Sequence, residues 1–276
     1  MTTSPPLPAR SRDDLAALAR ALREQHRPGR PLVLPNAWDA ATARLVEQAG
    51  FPAVATTSAG LVRALGWKDG SHVPADEVFA AIERISRSVT VPVTADVEDG
   101  YGLDPGELVA RLLAAGAVGM NLEDTDHRAA VPGLVEVEAQ AGRIAAVKDA
   151  GRAQGVDVVV NARTDAFVRG GDPAERLADA RRRAARYREA GADCVYPIGV
   201  PTDAAGEAAI QALVGDAAGG NINIMARLGT PLDRLAALGV ARISFGAAIA
   251  TVANAAVADA LTAIRASQRV GGPIGA

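Results

Sequence analysis

Short apolar runs alternate with amphipathic stretches along most of the chain. The runs span four to six residues, the length of a buried strand, and the stretches between them place apolar residues at a helical spacing. Apolar strands that alternate with helices are typical of a parallel sheet covered on both faces. Eight strand–helix units therefore predict an α/β fold that closes as a (β/α)8 barrel of the TIM type. The predicted strands are 32–35, 53–57, 91–95, 119–122, 156–161, 194–197, 222–225 and 242–245.

The helices of this pattern follow the strands, and one more helix precedes them at 11–25 with Ser11 as its N-cap. Residues 1–10 are expected to form a disordered or extended tail, and residues 11–270 a single barrel domain, because no linker interrupts them. The main alternative is a doubly wound open sheet. That fold normally has a glycine-rich phosphate loop after its first strand, where this chain has Pro-Asn-Ala-Trp-Asp. The other helices are predicted at 39–49, 75–88, 105–115, 137–153, 173–190, 203–214, 231–238 and 247–266.

Composition limits the function classes. The 276 residues suffice for one barrel, which needs roughly 250. The single cysteine, Cys194, excludes a disulfide or a thiolate zinc site built within the chain. The net charge of −3 gives no support to nucleic-acid binding. The N-terminus lacks the order of a signal peptide and no uncharged apolar run reaches the roughly 18–20 residues of a membrane span, so we expect a cytoplasmic protein without membrane contact.

Polar residues concentrate where the predicted strands end, which is the active-site side of such a barrel. The third strand ends in Asp96, followed by Glu98, and the fourth strand ends in Glu123. Unpaired carboxylates at adjacent strand ends would repel one another, and a hard divalent cation removes that conflict. Oxygen ligands favour Mg²⁺ or Mn²⁺ over zinc. Asp99 and Asp124 lie beside these residues but could instead cap the following segments or face solvent.

Other side chains at the strand ends suit an acidic ligand. A guanidinium at Arg163 fits a substrate carboxylate, although an ion pair with a neighbouring acid is the alternative. The small residues after the second strand could offer backbone N–H groups to an anion. His127 is the loop residue whose ordinary pKa best suits proton transfer. Cys194 begins the sixth strand, at the opposite face, so we expect it to be buried and unreactive with a raised pKa.

These residues together resemble the isocitrate lyase/phosphoenolpyruvate mutase superfamily over about 32–252. The matching segments read Ala-Thr-Thr-Ser at 55–58, Leu-Gly-Trp-Lys-Asp at 65–69, Asp-Val-Glu-Asp-Gly-Tyr-Gly at 96–102, Leu-Glu-Asp at 122–124 and Asn-Ala-Arg-Thr-Asp at 161–165. The resemblance implies a barrel that binds Mg²⁺, with its last helix swapped between the subunits of a homodimer or homotetramer. It also implies that a C–C or C–P bond next to a carboxylate is made or broken through an enolate.

The resemblance further implies roles for single residues. Asp96 would be the direct metal ligand, Glu98 stands where the superfamily usually has a second aspartate, and Glu123 would hold metal-bound water. Thr57, Ser58 and Ala59 would bind the carboxylate of a small-molecule substrate, and Asn223 its far end. Asp69 would reach the metal waters or the substrate, and Arg163 the oxyanion or carboxylate.

The chain departs from the resemblance in two places. The superfamily's lyases carry a Lys-Arg-Cys-Gly-His loop after the fourth strand, whereas the shorter stretch 125–133 has neither cysteine nor lysine. Their sixth strand ends in Pro-Glu, whereas this chain has Pro197-Ile198. We therefore predict a Mg²⁺-dependent lyase that cleaves a C–C bond of a small 2-hydroxy or 2-oxo carboxylic acid, but not isocitrate or methylisocitrate. The alternatives are a C–P bond mutase or hydrolase acting on phosphonopyruvate-like substrates, and a non-catalytic barrel that binds a small acid.

Overall fold

The computed structural model describes residues 7–68, 73–215 and 221–268. Its strands are β1 (Leu32–Leu34), β2 (Asn36–Ala37), β3 (Val54–Thr56), β4 (Val93–Asp96), β5 (Gly119–Glu123), β6 (Thr125–Asp126), β7 (Gly133–Leu134), β8 (Val159–Thr164), β9 (Cys194–Pro197), β10 (Asn221–Met225) and β11 (Arg242–Ser244). Its helices are α1 (Arg12–Glu24), α2 (Ala40–Gln48), α3 (Ser58–Ala64), α4 (Ala75–Ser86), α5 (Pro105–Ala114), α6 (Val137–Ala153), α7 (Pro173–Glu189), α8 (Glu207–Gly215), α9 (Leu232–Ala237) and α10 (Ala248–Gln268).

Parallel pairing joins nine strand segments in the order β1-β11-β10-β9-β8-β5-β4-β3-β2. The two segments at the ends of this order are β1, which lies in the predicted strand 32–35, and β2, which follows directly after Pro35 and beyond the predicted end. Proline has no N–H to donate to a ladder, so the strand is interrupted there. Because β1 pairs with β11 and β2 pairs with β3, the divided strand closes the ring. The predicted barrel is confirmed.

Asn36 fastens this closure. Its Nδ2 donates to the backbone oxygen of Thr56 at 2.8 Å, and its Oδ1 accepts from the backbone N–H of Phe245 at 2.8 Å. One buried side chain thus ties the first strand to the ends of both neighbours.

Two expectations about segment type were wrong. The stretch after the second predicted strand, expected as a loop, forms the helix α3. Gly60 in it marks close packing and not a turn, since an added Cβ would lie 2.7 Å from Thr57 Cγ2. The stretch after β5 folds into the antiparallel hairpin β6–β7. Elsewhere the predicted elements are present with shifted ends: α8 begins at Glu207, and β8 runs on to Thr164.

The barrel lining is largely polar. Residues paired in register between parallel strands face the same side of a sheet, which gives one row of Asp96, Asn121, Asn161 and Cys194. The row nearer the carboxyl ends holds Glu123, Arg163 and Tyr196. A hydrogen bond across the lumen confirms that the first row faces inward: Asn121 Oδ1 on β5 accepts from Arg242 Nη2 on β11 at 3.2 Å, and also from Asn161 Nδ2 on the adjacent strand at 2.8 Å. The second row lies two residues further along the same strands and therefore shares this face. TIM barrels are more often filled by branched apolar residues.

The last helix, α10, leaves the barrel. Ala250 near its start is buried, whereas Val252, Val257, Leu261 and Ile264 are all more than half exposed. The segment Ala248–Ser267 is also long and apolar enough to cross a membrane by length and composition, and 6% of its most apolar 18-residue window is buried. An apolar helix this exposed normally has something packed against it.

Candidate active site

Asp96, at the end of β4, has one carboxylate oxygen fixed and one open. Its backbone N–H donates to Thr56 Oγ1 at 2.8 Å, and its Oδ2 accepts from the backbone N–H of Ser58 at 3.0 Å. Its Oδ1 is buried and has no hydrogen-bond partner among the described residues. A buried carboxylate oxygen without a partner is costly, so this atom is suited to an external ligand.

The turn after β4 contains two more acids, Glu98 and Asp99, and has a strained backbone. Glu98 and Tyr101 have φ values of +48° and +54°, in the left-handed region that residues other than glycine seldom adopt. Such strain is often found at binding and catalytic sites. Glu98 and Asp99 are each 6% exposed. Asp99 Oδ1 accepts the backbone N–H of Tyr101 at 2.9 Å, which makes Asp99 the residue that shapes the turn.

Glu123, at the end of β5, is held between a histidine and an arginine. Its Oε1 contacts His127 Nε2 and its Oε2 lies 2.5 Å from Arg163 Nη1. Burial raises the pKa of Glu123, and the two partners oppose that rise. The hydrogen bond to Glu123 raises the pKa of His127 in turn. The structure therefore brings together the predicted residues Glu123, His127 and Arg163.

Arg163 is the centre of an ion-pair network. Its Nε and Nη2 lie 2.7 and 3.0 Å from the two carboxylate oxygens of Asp165, a bidentate pair in addition to the contact with Glu123. Burial lowers the pKa of Arg163, but Glu123 and Asp165 outweigh burial and raise it. The alternative of an ion pair with neighbouring acids is thus what the structure shows. A guanidinium carries five N–H groups, so Arg163 keeps hydrogens for a substrate.

Asp124 belongs to a network behind the barrel wall. It is fully buried and accepts from the Tyr187 hydroxyl at 2.7 Å and from Arg183 Nη1 at 3.1 Å. Its other oxygen accepts the backbone N–H of Asp165 at 2.9 Å, which positions the partner of Arg163. Asp124 therefore supports the site from outside.

The residues predicted to bind substrate differ in burial and in how far their hydrogen-bonding groups are already used by the protein. Thr57 is buried and its backbone N–H donates to Ala37 O, while the N–H of Ser58 is used by Asp96. Asn223 is fully buried inside the barrel, where its Nδ2 donates to Ser244 Oγ at 3.3 Å. Ala59 lies in the first turn of α3. Asp69, and His72 near it, lie outside the described residues.

The donor set fits a cation that keeps much of its water. Within the described ranges, no three His, Cys, Asp or Glu side chains form a closed ligand group. Mg²⁺ is commonly bound through one or two carboxylates and several waters. The open Oδ1 of Asp96, with Glu98 and Glu123 nearby as acceptors for such waters, suits that mode of binding. A cavity of about 250 Å³ opens beside them and is lined by Glu98, Asp99, Tyr101 and His127 among others.

Three residues of this region were not selected from the sequence. Asp165 was considered only as the last residue of the Asn-Ala-Arg-Thr-Asp motif. Its role depends on its contact with Arg163, two residues earlier in the chain. Arg242 interrupts an apolar run, which is a usable signal, and it is 1% exposed with Nε and Nη1 unbonded by any described residue. Tyr196 ends an apolar strand beside Arg163. The expectation for Cys194 is confirmed: it is fully buried, and burial raises its pKa to about 12.

Comparisons with known proteins agree with this architecture. The family model for phosphoenolpyruvate phosphomutase matches residues 22–265. A crystal structure from Burkholderia cenocepacia J2315, of a protein provisionally assigned as a phosphonomutase, superposes with a TM-score of 0.83 at 36% identity, covering 90% of this chain and 99% of that one. An oxaloacetate decarboxylase of Rhodopseudomonas palustris (strain TIE-1) is 34% identical over 180 residues, 63% of this chain and 60% of that protein. A crystal structure of 2,3-dimethylmalate lyase is 25% identical with a TM-score of 0.77, covering 95% and 90% of the two chains.

Proposed function

The chain belongs to the phosphoenolpyruvate phosphomutase family, within the isocitrate lyase/phosphoenolpyruvate mutase superfamily, and from that premise we propose a specific activity. Its relatives are lyases and mutases, and it is an enzyme of that superfamily. We propose that it cleaves a C–C bond of a small 2-oxo or 2-hydroxy dicarboxylic acid, with a divalent cation and through an enolate. A non-catalytic barrel is disfavoured by these relatives.

One observation carries the proposal: the open Oδ1 of Asp96 and the guanidinium of Arg163 belong to neighbouring parts of the same strand-end cluster. Arg163 can orient a substrate carboxylate and stabilise negative charge that develops on the 2-oxo oxygen, a large term in catalysis by such sites. A divalent cation bound at Asp96, Glu98 and Glu123, Mg²⁺ or Mn²⁺, would supply Lewis-acid polarisation of that oxygen. Burial of Glu123 and Asp165 excludes water from the side of Arg163 that they cover.

The hairpin β6–β7 supports the limits placed on the substrate. Residues 125–134 span both strands and contain no cysteine or lysine. The thiol that serves as the acid in the superfamily's isocitrate-type lyases is therefore not supplied by this segment. We propose that isocitrate and methylisocitrate are not substrates.

A C–P bond reaction is the second candidate, because the relative of 36% identity that spans this chain is provisionally a phosphonomutase. A phosphonate substrate would present a third negative charge to the site. Two of the cations among the described site residues, Arg163 and Arg128, are already engaged by carboxylates. This favours the C–C reaction.

The test is a substrate panel read by proton and phosphorus NMR, with Mg²⁺ or Mn²⁺ present. Oxaloacetate, malate, alkylated malates, isocitrate, methylisocitrate and phosphonopyruvate are incubated with the wild type and with Asp96→Asn. We expect the wild type, but not Asp96→Asn, to consume one of the 2-oxo or 2-hydroxy diacids, and only when the metal is present. Release or migration of phosphate from phosphonopyruvate would establish the second candidate instead, and turnover of isocitrate would contradict the substrate limit.

We also propose that α10 packs against a second copy of the chain, giving a homodimer or homotetramer, as its exposed apolar side chains suggest. Leu261→Asp should then lower the mass measured by light scattering, whereas Asp259→Ser on the same helix should not. Binding of the wild type to lipid vesicles as a monomer would instead indicate a membrane partner. A cytoplasmic location and the absence of nucleic-acid binding remain predictions.

A further inference from the structure

Tyr196 stands in the row of side chains nearest the proposed reaction. It is in register with Arg163 on the neighbouring strand, so the two side chains face the same side of the sheet. It is 4% exposed. Its ring also lies within electrostatic reach of Asp96, Asp165 and Arg242. The hydroxyl therefore belongs to the same enclosed space as the open carboxylate oxygen of Asp96.

The hydroxyl of Tyr196 differs from that of Tyr187 in its hydrogen bonding to the described residues. None of the hydrogen bonds among the described residues engages it, whereas the buried hydroxyl of Tyr187 donates to Asp124 at 2.7 Å. A hydroxyl at the site that no described residue engages is available to a bound molecule.

The electrostatic surroundings keep this hydroxyl protonated yet able to lose its proton briefly. Burial raises the pKa of Tyr196, Asp96 and Asp165 raise it further, and the guanidinium groups of Arg163 and Arg242 oppose the rise. The Nε and Nη1 atoms of Arg242 are not bonded by any described residue, so its charge is not already neutralised by a close carboxylate.

The proposed reaction needs an acid that the loop does not provide. Cleavage of the C–C bond leaves an enolate, and its carbon must receive a proton before product forms. The hairpin β6–β7 has no thiol or amine, and the Nε2 of His127 is engaged by Glu123. We propose that the Tyr196 hydroxyl is the acid that protonates the enolate carbon, an inference that rests on the proposed C–C cleavage.

The step balances as follows. In a 2-oxo diacid, the bond between C3 and its carboxylate carbon breaks, that carboxylate leaves as CO₂, and the electron pair of the broken bond moves into the enolate. That pair then forms a new C–H bond as the Tyr196 O–H bond breaks, and the O–H pair stays on the phenolate oxygen. Arg163 and Arg242 stabilise the phenolate, which takes a proton from water as product leaves.

Pyruvate in D₂O tests the proton transfer without C–C cleavage. With Mg²⁺ present, we expect the wild type to exchange the methyl hydrogens of pyruvate for deuterium, followed by NMR. In the reverse of the proposed step, the Tyr196 phenolate takes a proton from the methyl carbon, exchanges it with D₂O and returns a deuteron to the enolate. Tyr196→Phe should slow this exchange by about 10²-fold or more, the usual contribution of a positioned acid. Cys194→Ser, two residues earlier on the same face of β9, should exchange like the wild type. Circular dichroism checks that each variant is folded.

Stereochemistry gives a second readout. A 2-oxo diacid with a methyl group at C3, cleaved in D₂O, should yield a product deuterated on one face by the wild type and on both faces by Tyr196→Phe. Exchange by Tyr196→Phe within threefold of the wild type, or no exchange by a wild type that cleaves its substrate, would overturn the role of Tyr196 and leave the proposed function standing. Tyr196-dependent exchange by a wild type that cleaves nothing in the panel would support the acid and overturn the cleavage.

Discussion

The two ends of the barrel both hold buried acids and bases but satisfy them in different ways. At the amino ends of the strands, Asp193 accepts from Arg23 Nε at 2.6 Å, from Lys148 Nζ at 3.0 Å and from the backbone of Val160 at 2.9 Å. Lys148 reaches Asp157 as well, at 2.7 Å. At the carboxyl ends, by contrast, Asp96 has one open carboxylate oxygen.

This difference separates charges that hold the fold from charges kept for a ligand. A saturated network costs much when one member is removed, because its partners are left buried and unpaired. Substituting a member of an open network lowers stability little, because its hydrogen-bonding groups were not all paired within the protein. Active sites of these barrels lie at the carboxyl ends, and the amino ends serve stability.

Breaking the amino-end network should give the largest loss of stability. Asp193→Ala removes one acceptor of Arg23 and Lys148, which keep the carboxylate of Asp157, and leaves the Val160 N–H without its acceptor, so we expect the free energy of unfolding to fall by about 2–3 kcal/mol. Urea unfolding measures it. The control is Asp149→Ala, which removes a pair with Arg152 that is more than half exposed on both sides and should cost under about 1 kcal/mol. Equal losses in the two variants would contradict the comparison.

At the other end, Asp96→Asn should remove activity and spare stability. The asparagine can still accept the Ser58 N–H, but it cannot hold a divalent cation with a charged oxygen. We expect turnover to fall by at least about 10²-fold while the urea midpoint stays near that of the wild type. EDTA should reproduce the loss in the unchanged enzyme. Full activity in EDTA would show that no metal is needed.

His26, near Arg242 and the amino-end network, should make stability depend on pH. Burial first, and then Arg242, lowers its pKa from 6.5 to about 4. The unfolded chain therefore takes up a proton as pH falls below 6.5 while the folded protein does not. We expect a loss of about 2 kcal/mol between pH 7 and pH 5. His26→Gln should flatten that part of the stability profile, and an unchanged slope would show that His26 titrates normally.

A smaller effect is expected from Arg163→Lys. An ammonium keeps the charge beside Glu123 but cannot hold Asp165 through two parallel hydrogen bonds. We expect a folded protein whose kcat/KM is lower by about tenfold or more. If the variant turns over substrate like the wild type, the fork geometry of Arg163 serves structure alone.

The sequence predicted most of the fold because strand and helix periods are local. The barrel and its helices follow from apolar spacing, and the ends of strands locate Asp96, Glu123 and Arg163. Helix α3 was missed because it has only seven residues and begins with Ser-Ala-Gly, which is typical of a loop. Gly60 in it reflects contacts made only in three dimensions.

The partners of the site residues could not be predicted, since they depend on where each strand ends and on the register between neighbouring strands. Arg163 was placed at a strand end, but its double contact with Asp165 appears only when β8 runs on to Thr164. Tyr196 faces Arg163 through the pairing of β8 with β9, and no spacing in the sequence states that register.

The two hydrogen bonds by which Asn36 joins the first strand to its neighbours have a consequence for how the protein is synthesised. Its two partners are Thr56, twenty residues later, and Phe245, 209 residues later. At the usual pace of translation, about 5–20 residues per second, roughly ten seconds or more separate their emergence from the ribosome. Throughout that interval the edge of β1 that will pair with β11 has no strand beside it. Unpaired edges invite association with other chains, so the nascent protein should depend on chaperones until its last strand arrives and the ring closes.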